Sequence, residues 1–415
     1  MLDINNPFAD YGNIVYGDRF VGRQSYLQWI ESRVVRPPGG NLSIVSERRV
    51  GKSSLAYQAI MARQDELIQQ RILARRVSVS TYENPQKFFC DLAGLSFRKL
   101  EDLGWANRFI REAAEEVKTR DVERFDFGRL KEFFEHTRAA NIRIIFVLDE
   151  FDSAARFFTT DNRFFDRLRD LSYRGEATLI TVSRDPLSII ERKSNISSTL
   201  IGVCEDRTLG MFNDAEIEEY FGCLKETGIS LTPKDRQRLV ACCGGHPYLH
   251  DKVAFELVEL FRQDGKTHLD EAFRQSERLF LREFASITEH LHSRSLLEPL
   301  MQSLFASPAH LKTSELKELV DYGLIRQSGT GYTTFSILFQ EHLRQELPMI
   351  IEELTPAERR VLFCLHSELQ NKEIANQLGV TEHTVKTHIG NIFRKLQVNT
   401  RQEAVRRARE HEIIE

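Results

Sequence analysis

Residues Ser46 to Ser53 read SERRVGKS, between an apolar run, Leu42 to Val45, and a helix-forming stretch, SSLAYQAI. A Gly-Lys-Ser turn at the junction of a strand and a helix makes consecutive backbone amides converge, and that arrangement suits a phosphate group. The octapeptide fits GxxxxGK[ST] except that Ser46 occupies the first glycine position. A Cβ there is expected to crowd the tight turn. In such a loop the amides wrap a β-phosphate, Lys52 neutralises β/γ charge and the Ser53 hydroxyl ligates Mg2+. The candidate nucleotide contacts are Ser46, Arg48, Arg49, Val50, Gly51, Lys52, Ser53 and Ser54.

A strand that feeds such a loop belongs in a parallel sheet, and the first half of the chain supplies its companions. The runs RRVSVS near Val77, RIIFVLDE and ATLITVS alternate with helical stretches, which predicts parallel strands joined by crossover helices. About a hundred residues past the loop, IIFVLDEFD (Ile144 to Asp152) ends a buried strand on acids. Asp149 at the strand end is placed to hold the metal through water, and Glu150 to polarise a water attacking the γ-phosphate. TLITVSRD ends in Ser183 and Arg184, and this arginine either points into the cleft towards the γ-phosphate or makes a surface ion pair with Asp185.

After about Leu209 the strand signals stop. Amphipathic helices follow, interrupted by CGGHP (Cys243 to Pro247). Between about Ser295 and Leu347 the order reads helix, helix ending at DYGLIR, a turn SGTG, a strand YTTFS and a last helix, which is a winged-helix pattern. At Thr355 a capping box, TPAE, opens another helix with proline in its first position. NKEIANQL then supplies a short amphipathic helix and Gly379-Val380-Thr381 a turn with an N-cap. EHTVKTHIGNIFRKL supplies a second helix with Val385, Ile389, Ile392, Phe393 and Leu396 inward. From Lys386 to Arg409 seven basic residues face one acid, Glu403, in a chain whose formal net charge is −4. The basic character is local, and with the turn geometry it points to DNA rather than to a solvated helix face.

Composition excludes other classes. With 41% hydrophobic and 28% charged residues among 415, the chain has material for several packed domains and is neither disordered nor disulfide-stapled. Six scattered cysteines without a CxxC pair predict reduced thiols. The N-terminal segment has no apolar core and no run is long enough to span a bilayer, so a cytoplasmic protein without membrane association is expected.

Taken together, the order and spacing of these landmarks over about residues 5 to 350 resemble the STAND class of AAA+-related ATPases, the signal-transduction switches that include NB-ARC proteins. NPF at Asn6 followed by FVGR is similar to the box that packs on adenine, which implies base contacts from Val21, Gly22 and Arg23. TVSR is similar to the sensor motif whose arginine, here Arg184, reads the γ-phosphate. GGHPYL resembles the GxP motif, which implies that the ring of Pro247 lies against the base. FSILFQEHL resembles the winged-helix segment that carries a phosphate-binding histidine, with Ser336 at that position here. Residues Leu354 to Arg409 resemble a LuxR-type helix-turn-helix along its full length. This implies major-groove contacts from Lys386 and Thr387 and backbone contacts from Thr384 and Lys395, and Thr381 at the helix start completes the candidate DNA-binding set.

The expected architecture is therefore α/β: a P-loop nucleotide-binding domain with a parallel sheet (1–206), a helical lid (207–290), a winged helix (291–350) and an all-α helix-turn-helix domain (351–415). The expected function is a transcriptional regulator switched by ATP and ADP with Mg2+. It would bind double-stranded DNA, form a homo-oligomer on activation and answer to a protein or small-molecule inducer. Glu150, Lys52 and Arg184 are its candidate catalytic groups, and Ser53 and Asp149 its metal ligands. Two alternatives stay open: an AAA+ DNA-remodelling or transposition-helper ATPase, and a DNA-binding protein with a purely structural nucleotide site.

Overall fold

In the computed structural model, residues 5–117, 125–159, 163–193, 200–305, 311–329, 331–350, 354–367, 369–396, 398–410 and 413 are described. Contacts divide the chain into two units, residues 1–231 with 245–272 and residues 232–244 with 273–415.

The first unit is built on five strands: β1 (Asn41–Val45), β2 (Ile72–Ser78), β3 (Arg143–Asp149), β4 (Thr178–Ser183) and β5 (Cys204–Thr208). They form one sheet in the order β2-β3-β4-β1-β5, and every neighbouring pair is parallel. The two-residue period of a strand sends alternate side chains to opposite faces. In β3, Ile144, Phe146 and Leu148 enter one core while Ile145 and Val147 enter the other. Both faces of a parallel sheet are covered, which explains the uninterrupted apolar reading of β3. The first core is dominated by phenylalanines, among them Phe88, Phe89, Phe133, Phe134, Phe164 and Phe165. Their rings meet edge-to-face or tilted, as between Phe133 and Phe134 at 5.1 Å. The helix Pro85–Asp102, which carries Phe88 and Phe89, starts where Asn84 accepts from the amides of Gln86 and Lys87 and proline fixes the first turn.

Strand order places the ends of β1, β3 and β4 side by side, with Ser46 just beyond β1 and its amide donating to the Ser183 carbonyl at 3.3 Å. The loop after β1 therefore opens at the carboxyl edge of the sheet, between the acids ending β3 and the arginine following β4. In the same unit the N-terminal segment is fastened to the helix Pro247–Asp264. Asn6 donates from Nδ2 to the Phe255 carbonyl (3.1 Å) and to Glu259 (2.8 Å), and Phe8 is buried beside Tyr220.

In the second unit, helices Leu297–Phe305 and Thr313–Asp321 lead into an antiparallel hairpin, β6 (Ile325–Ser328) and β7 (Gly331–Thr334), and then the helix Ile337–Ile350. The expected order read one strand here, and the structure adds β6 from IRQS. Thr330 of the expected SGTG turn lies outside the described residues. Ser336 caps the last helix, its hydroxyl accepting from the Phe339 amide and donating to the Cys242 carbonyl. Four further helices, Pro356–His366, Asn371–Leu378, Glu382–Leu396 and Arg401–Glu410, enclose a separate core that includes Val361, Leu365, Ile374, Val385, Ile392 and Ala404. All six cysteines are free thiols. Among the described residues no helix is long and apolar enough to cross a membrane.

Candidate functional site

The loop after β1 turns through two left-handed residues, Arg49 (φ 59°) and Gly51 (φ 104°), and Gly51 leads directly into the helix Lys52–Ala59. Ser46 is not one of them. The expected crowding by its Cβ therefore does not arise, because the steric demand for glycine falls at Gly51. The Ser46 hydroxyl is fully buried and has no hydrogen-bond partner among the described residues.

Lys52 reaches back over this loop and donates from Nζ to the carbonyls of Ser46 (2.9 Å) and Glu47 (2.7 Å). Burial pulls its pKa down to about 8, against the pull of Asp152 and Glu47, while the charge of Arg184 adds to the fall. Ser53 Oγ donates to Asp149 Oδ1 at 3.0 Å. A hydroxyl beside a buried carboxylate is a hard-oxygen set of the kind Mg2+ takes, so these two residues fit the cation. The second Asp149 oxygen accepts from Arg76 Nη2 (2.6 Å) and Nε (3.1 Å). Thus a guanidinium already sits on one edge of the candidate ligand.

Glu150 takes a left-handed conformation (φ 54°), and its carboxylate accepts the hydroxyls of Ser78 and Ser80. The Ser78 and Ser80 hydrogen bonds hold it below the usual carboxylate range, with Arg76 adding to the effect against burial. The parallel register pairs Ser78 with Asp149, and so brings the end of β2 to the acids.

Asp185 meets Lys193 at 2.7 Å, while the Arg184 side chain turns to the phosphate loop. Its Nε (2.9 Å) and Nη2 (2.8 Å) both reach Glu47 Oε2 in the phosphate loop. Its backbone amide donates to the Asp152 carboxylate at 2.8 and 3.0 Å, and the Asp185 amide donates to the same group.

FVGR also comes to this edge. Arg23 is buried, in a left-handed conformation, with Nη2 donating to the Val50 carbonyl (3.3 Å) and Nη1 3.5 Å from Glu216. Glu216 and Glu219 accept from the amides of Arg23 (2.8 Å) and Gly22 (3.1 Å), tying the motif to the helix Asp214–Glu226. Val21 is buried beside them. Ser54 Oγ accepts from the Val15 amide at 3.0 Å. Arg48 and Arg49 are exposed, and Arg49 lies 4.0 Å over the ring of Tyr248. Pro247 starts the helix that carries this tyrosine. A Cβ on Gly245 would lie 2.2 Å from the Phe212 carbonyl, so that position of the motif requires glycine. His246 is buried and neutral, its pKa lowered by desolvation to about 3.

Lys52, Ser53, Asp149, Glu150 and Arg184 are thus gathered at one sheet edge, with Arg23 behind the loop. Glu47, Arg76, Ser78, Ser80 and Asp152 join them without having been assigned a role in the sequence. Glu47 and Asp152 lie within a motif run, whereas Arg76, Ser78 and Ser80 are far from any motif in sequence and reach the acids only through the strand order.

In the last four helices, Thr381 Oγ1 accepts from the Thr384 amide at 3.1 Å and starts the helix Glu382–Leu396. Lys386 and Thr387 are exposed on it, while Val385 and Ile389 face inward. Lys395 departs from expectation. Its Nζ pairs with Glu358 at 2.8 Å, with side-chain exposures of 11% and 4%, so its charge is spent inside the domain rather than offered to a phosphate. The basic stretch is likewise less open than its formal charge implies. Arg401 bonds to the Leu369 carbonyl and Asn371, Arg407 is buried, and Arg409 meets His366.

Two family matches cover most of the second half of the chain. Residues 131–345 match the AAA-like domain, and residues 352–408 match the luxR family of bacterial regulatory proteins. The response regulator protein VraR of Staphylococcus aureus is 32% identical over 108 residues, 25% of this chain. The chain spans about half (51%) of VraR's length. In fold, a Walker-type ATPase of Pyrococcus abyssi superposes with a TM-score of 0.52 at 14% identity, over 78% of this chain and 96% of that one.

Proposed function

The chain belongs to the AAA-like domain family, and on that basis we propose that it is an ATP/ADP-switched, DNA-binding transcriptional regulator with slow ATP hydrolysis. The observation that carries the reading is the presence on one chain of a Lys52–Ser53–Asp149–Glu150 sheet edge and a helix exposing Lys386 and Thr387. We take residues 1–206 as a STAND-like nucleotide domain, 207–290 as its helical lid, 291–350 as a winged helix and 351–415 as the DNA-binding module.

Lys52 exchanges its two carbonyl acceptors for phosphate oxygens, a move favoured because burial makes its charge costly without an anion. The amides of the loop hold the β-phosphate, and Ser53 with Asp149 holds Mg2+, which supplies charge neutralisation between the phosphates. Glu150 orients the attacking water. Its lowered basicity and its two serine partners make it a weak base, which supports slow turnover. Arg23, Val21, Gly22 and Pro247 border the base. The two nucleotide states act as a switch only insofar as they favour different domain arrangements, to which an inducer and homo-oligomerisation add. On DNA, Lys386 and Thr387 read the major groove, while Thr381 and Thr384 set the helix start against the backbone.

The test is selection and sequencing of DNA fragments by the intact protein with ADP or with a non-hydrolysable ATP analogue, in wild type, Lys52→Ala and Glu150→Gln. The reading expects one recognition sequence, retained differently in the two nucleotide states, with the difference lost in Lys52→Ala. Identical selection in all samples makes the nucleotide site structural, and no selection at all removes the regulator.

A further inference from the structure

We propose that Glu47 sets the preference between nucleoside di- and triphosphate by competing with the terminal phosphate for Arg184, an inference that rests on the nucleotide reading above. Glu47 is the second residue of a loop whose amides face anions, yet its carboxylate is only 1% exposed. A buried carboxylate at such a place repels phosphate and is tolerated only with a cation against it. Arg184 is that cation, with Nε and Nη2 on one oxygen. The main chain beneath it is held separately. Asp152 accepts from the amides of Arg184 and Asp185, so the strand end stays in place whichever way the side chain turns. Glu47 is also tied to the loop lysine, its carbonyl accepting from Lys52 Nζ.

The consequence is a competition between two anions for one guanidinium. A diphosphate engages the loop amides and Lys52 and leaves the Glu47–Arg184 pair intact. A triphosphate brings a further anion, and Arg184 then either abandons a desolvated carboxylate or divides its donors. Glu47 therefore biases the resting protein towards the diphosphate, in the direction a switch that idles in its spent state requires. Neither residue type reveals this in sequence, because 137 positions separate them.

The experiment measures the affinity of the full chain for ADP and for a non-hydrolysable ATP analogue, with Mg2+, in wild type, Glu47→Gln, Glu47→Asp, Arg184→Ala and the Glu47→Gln/Arg184→Ala double variant. Glu47→Gln is expected to leave ADP affinity near wild type and to raise the analogue-to-ADP affinity ratio about tenfold, the order of one charge-assisted hydrogen bond. Glu47→Asp, with a shortened reach, should move the ratio the same way by less. Arg184→Ala should abolish the gain in the Glu47→Gln background. An unchanged or lowered ratio in Glu47→Gln overturns the proposal, as does the same gain in the double variant, which would leave simple repulsion as the cause. Loss of ADP binding in both Glu47 variants makes the residue structural and overturns it too. Failure of the underlying reading has its own signature: wild type binds neither nucleotide, or Lys52→Ala binds both as wild type does.

Discussion

Replacing Lys395 by Met keeps most of the side chain's volume and removes its ammonium, and the structure gives this change a defined cost. Glu358 is then left 4% exposed without its cation. Breaking a buried pair by deleting one partner costs about 3–5 kcal/mol. Glu358 retains the Thr355 amide at 2.7 Å, and Lys395 keeps some solvent contact, which brings the expected loss to about 2 kcal/mol. That corresponds to roughly 30-fold faster exchange of the protected amides in the helix Pro356–His366, read by hydrogen exchange on the intact protein. Burial opposes the Glu358 carboxylate, but the hydrogen bonds from Lys395 and Thr355 and the Lys395 charge outweigh it and hold its pKa below the ordinary 4.5. The sign follows from that direction: the contribution is complete above about pH 4.5 and is lost as the pH falls through the lower folded value. The same variant should leave the salt dependence of DNA binding unchanged, whereas loss of a phosphate contact would lower the slope by about one unit. Unchanged amide exchange together with a slope reduced by one would refute the internal pairing and restore Lys395 to the DNA surface.

Because free Lys52 has a pKa of about 8 and phosphate favours its charged form, nucleotide affinity should fall by up to about tenfold per pH unit above that value. Binding at pH 8.5 should take up a proton, measured by calorimetry in buffers of different ionisation enthalpy; pH-independent affinity from 7 to 9.5 would contradict it. Ser46→Ala removes a buried hydroxyl without a partner, so the nucleotide-free protein should gain up to about 1 kcal/mol in thermal or denaturant unfolding, with nucleotide affinity retained. A marked loss of affinity would show that the hydroxyl meets the ligand. Arg76→Ala frees one oxygen of Asp149, so nucleotide binding should reach half-saturation at severalfold lower Mg2+, and an unchanged Mg2+ titration would mean that the guanidinium does not compete.

What was legible in the sequence tracks how local its cause is. The buried strands β1, β3 and β4 announce themselves because both faces of a central parallel strand are covered, leaving apolar runs with acids or a glycine turn at their ends. β5 does not, since CEDRT is an edge strand with only Cys204 buried. The helix-turn-helix is legible for the same reason as the loop: caps and periodicity within about twenty residues specify it. The partners of the functional groups are another matter. The structure brings Ser53 and Arg184 to the sheet edge at which the sequence reading put them, but Glu47 and Arg76, which hold their neighbours, are ordinary surface residue types until strand order brings them in. Lys395 errs in the opposite sense, because a count of basic residues carries no information about a glutamate 37 positions earlier.

The strap formed by Asn6 and Phe8 has a consequence for how the polypeptide is made. The acceptors of Asn6 lie 249 and 253 residues downstream, so nothing that the ribosome has released earlier can close this contact. At synthesis rates of about 5–20 residues per second, the first segment waits roughly ten to fifty seconds for the helix Pro247–Asp264 to emerge. Within that interval the five strands are made in turn, and Val15 and Gly17 gain their partners Ser54 and Gln58 early, while Asn6 still lacks its acceptors. Closing so long a loop is entropically costly and slow. Closure of the Asn6 contacts therefore comes late in folding of this unit, and a nascent chain that ends before about residue 260 lacks the acceptors of Asn6.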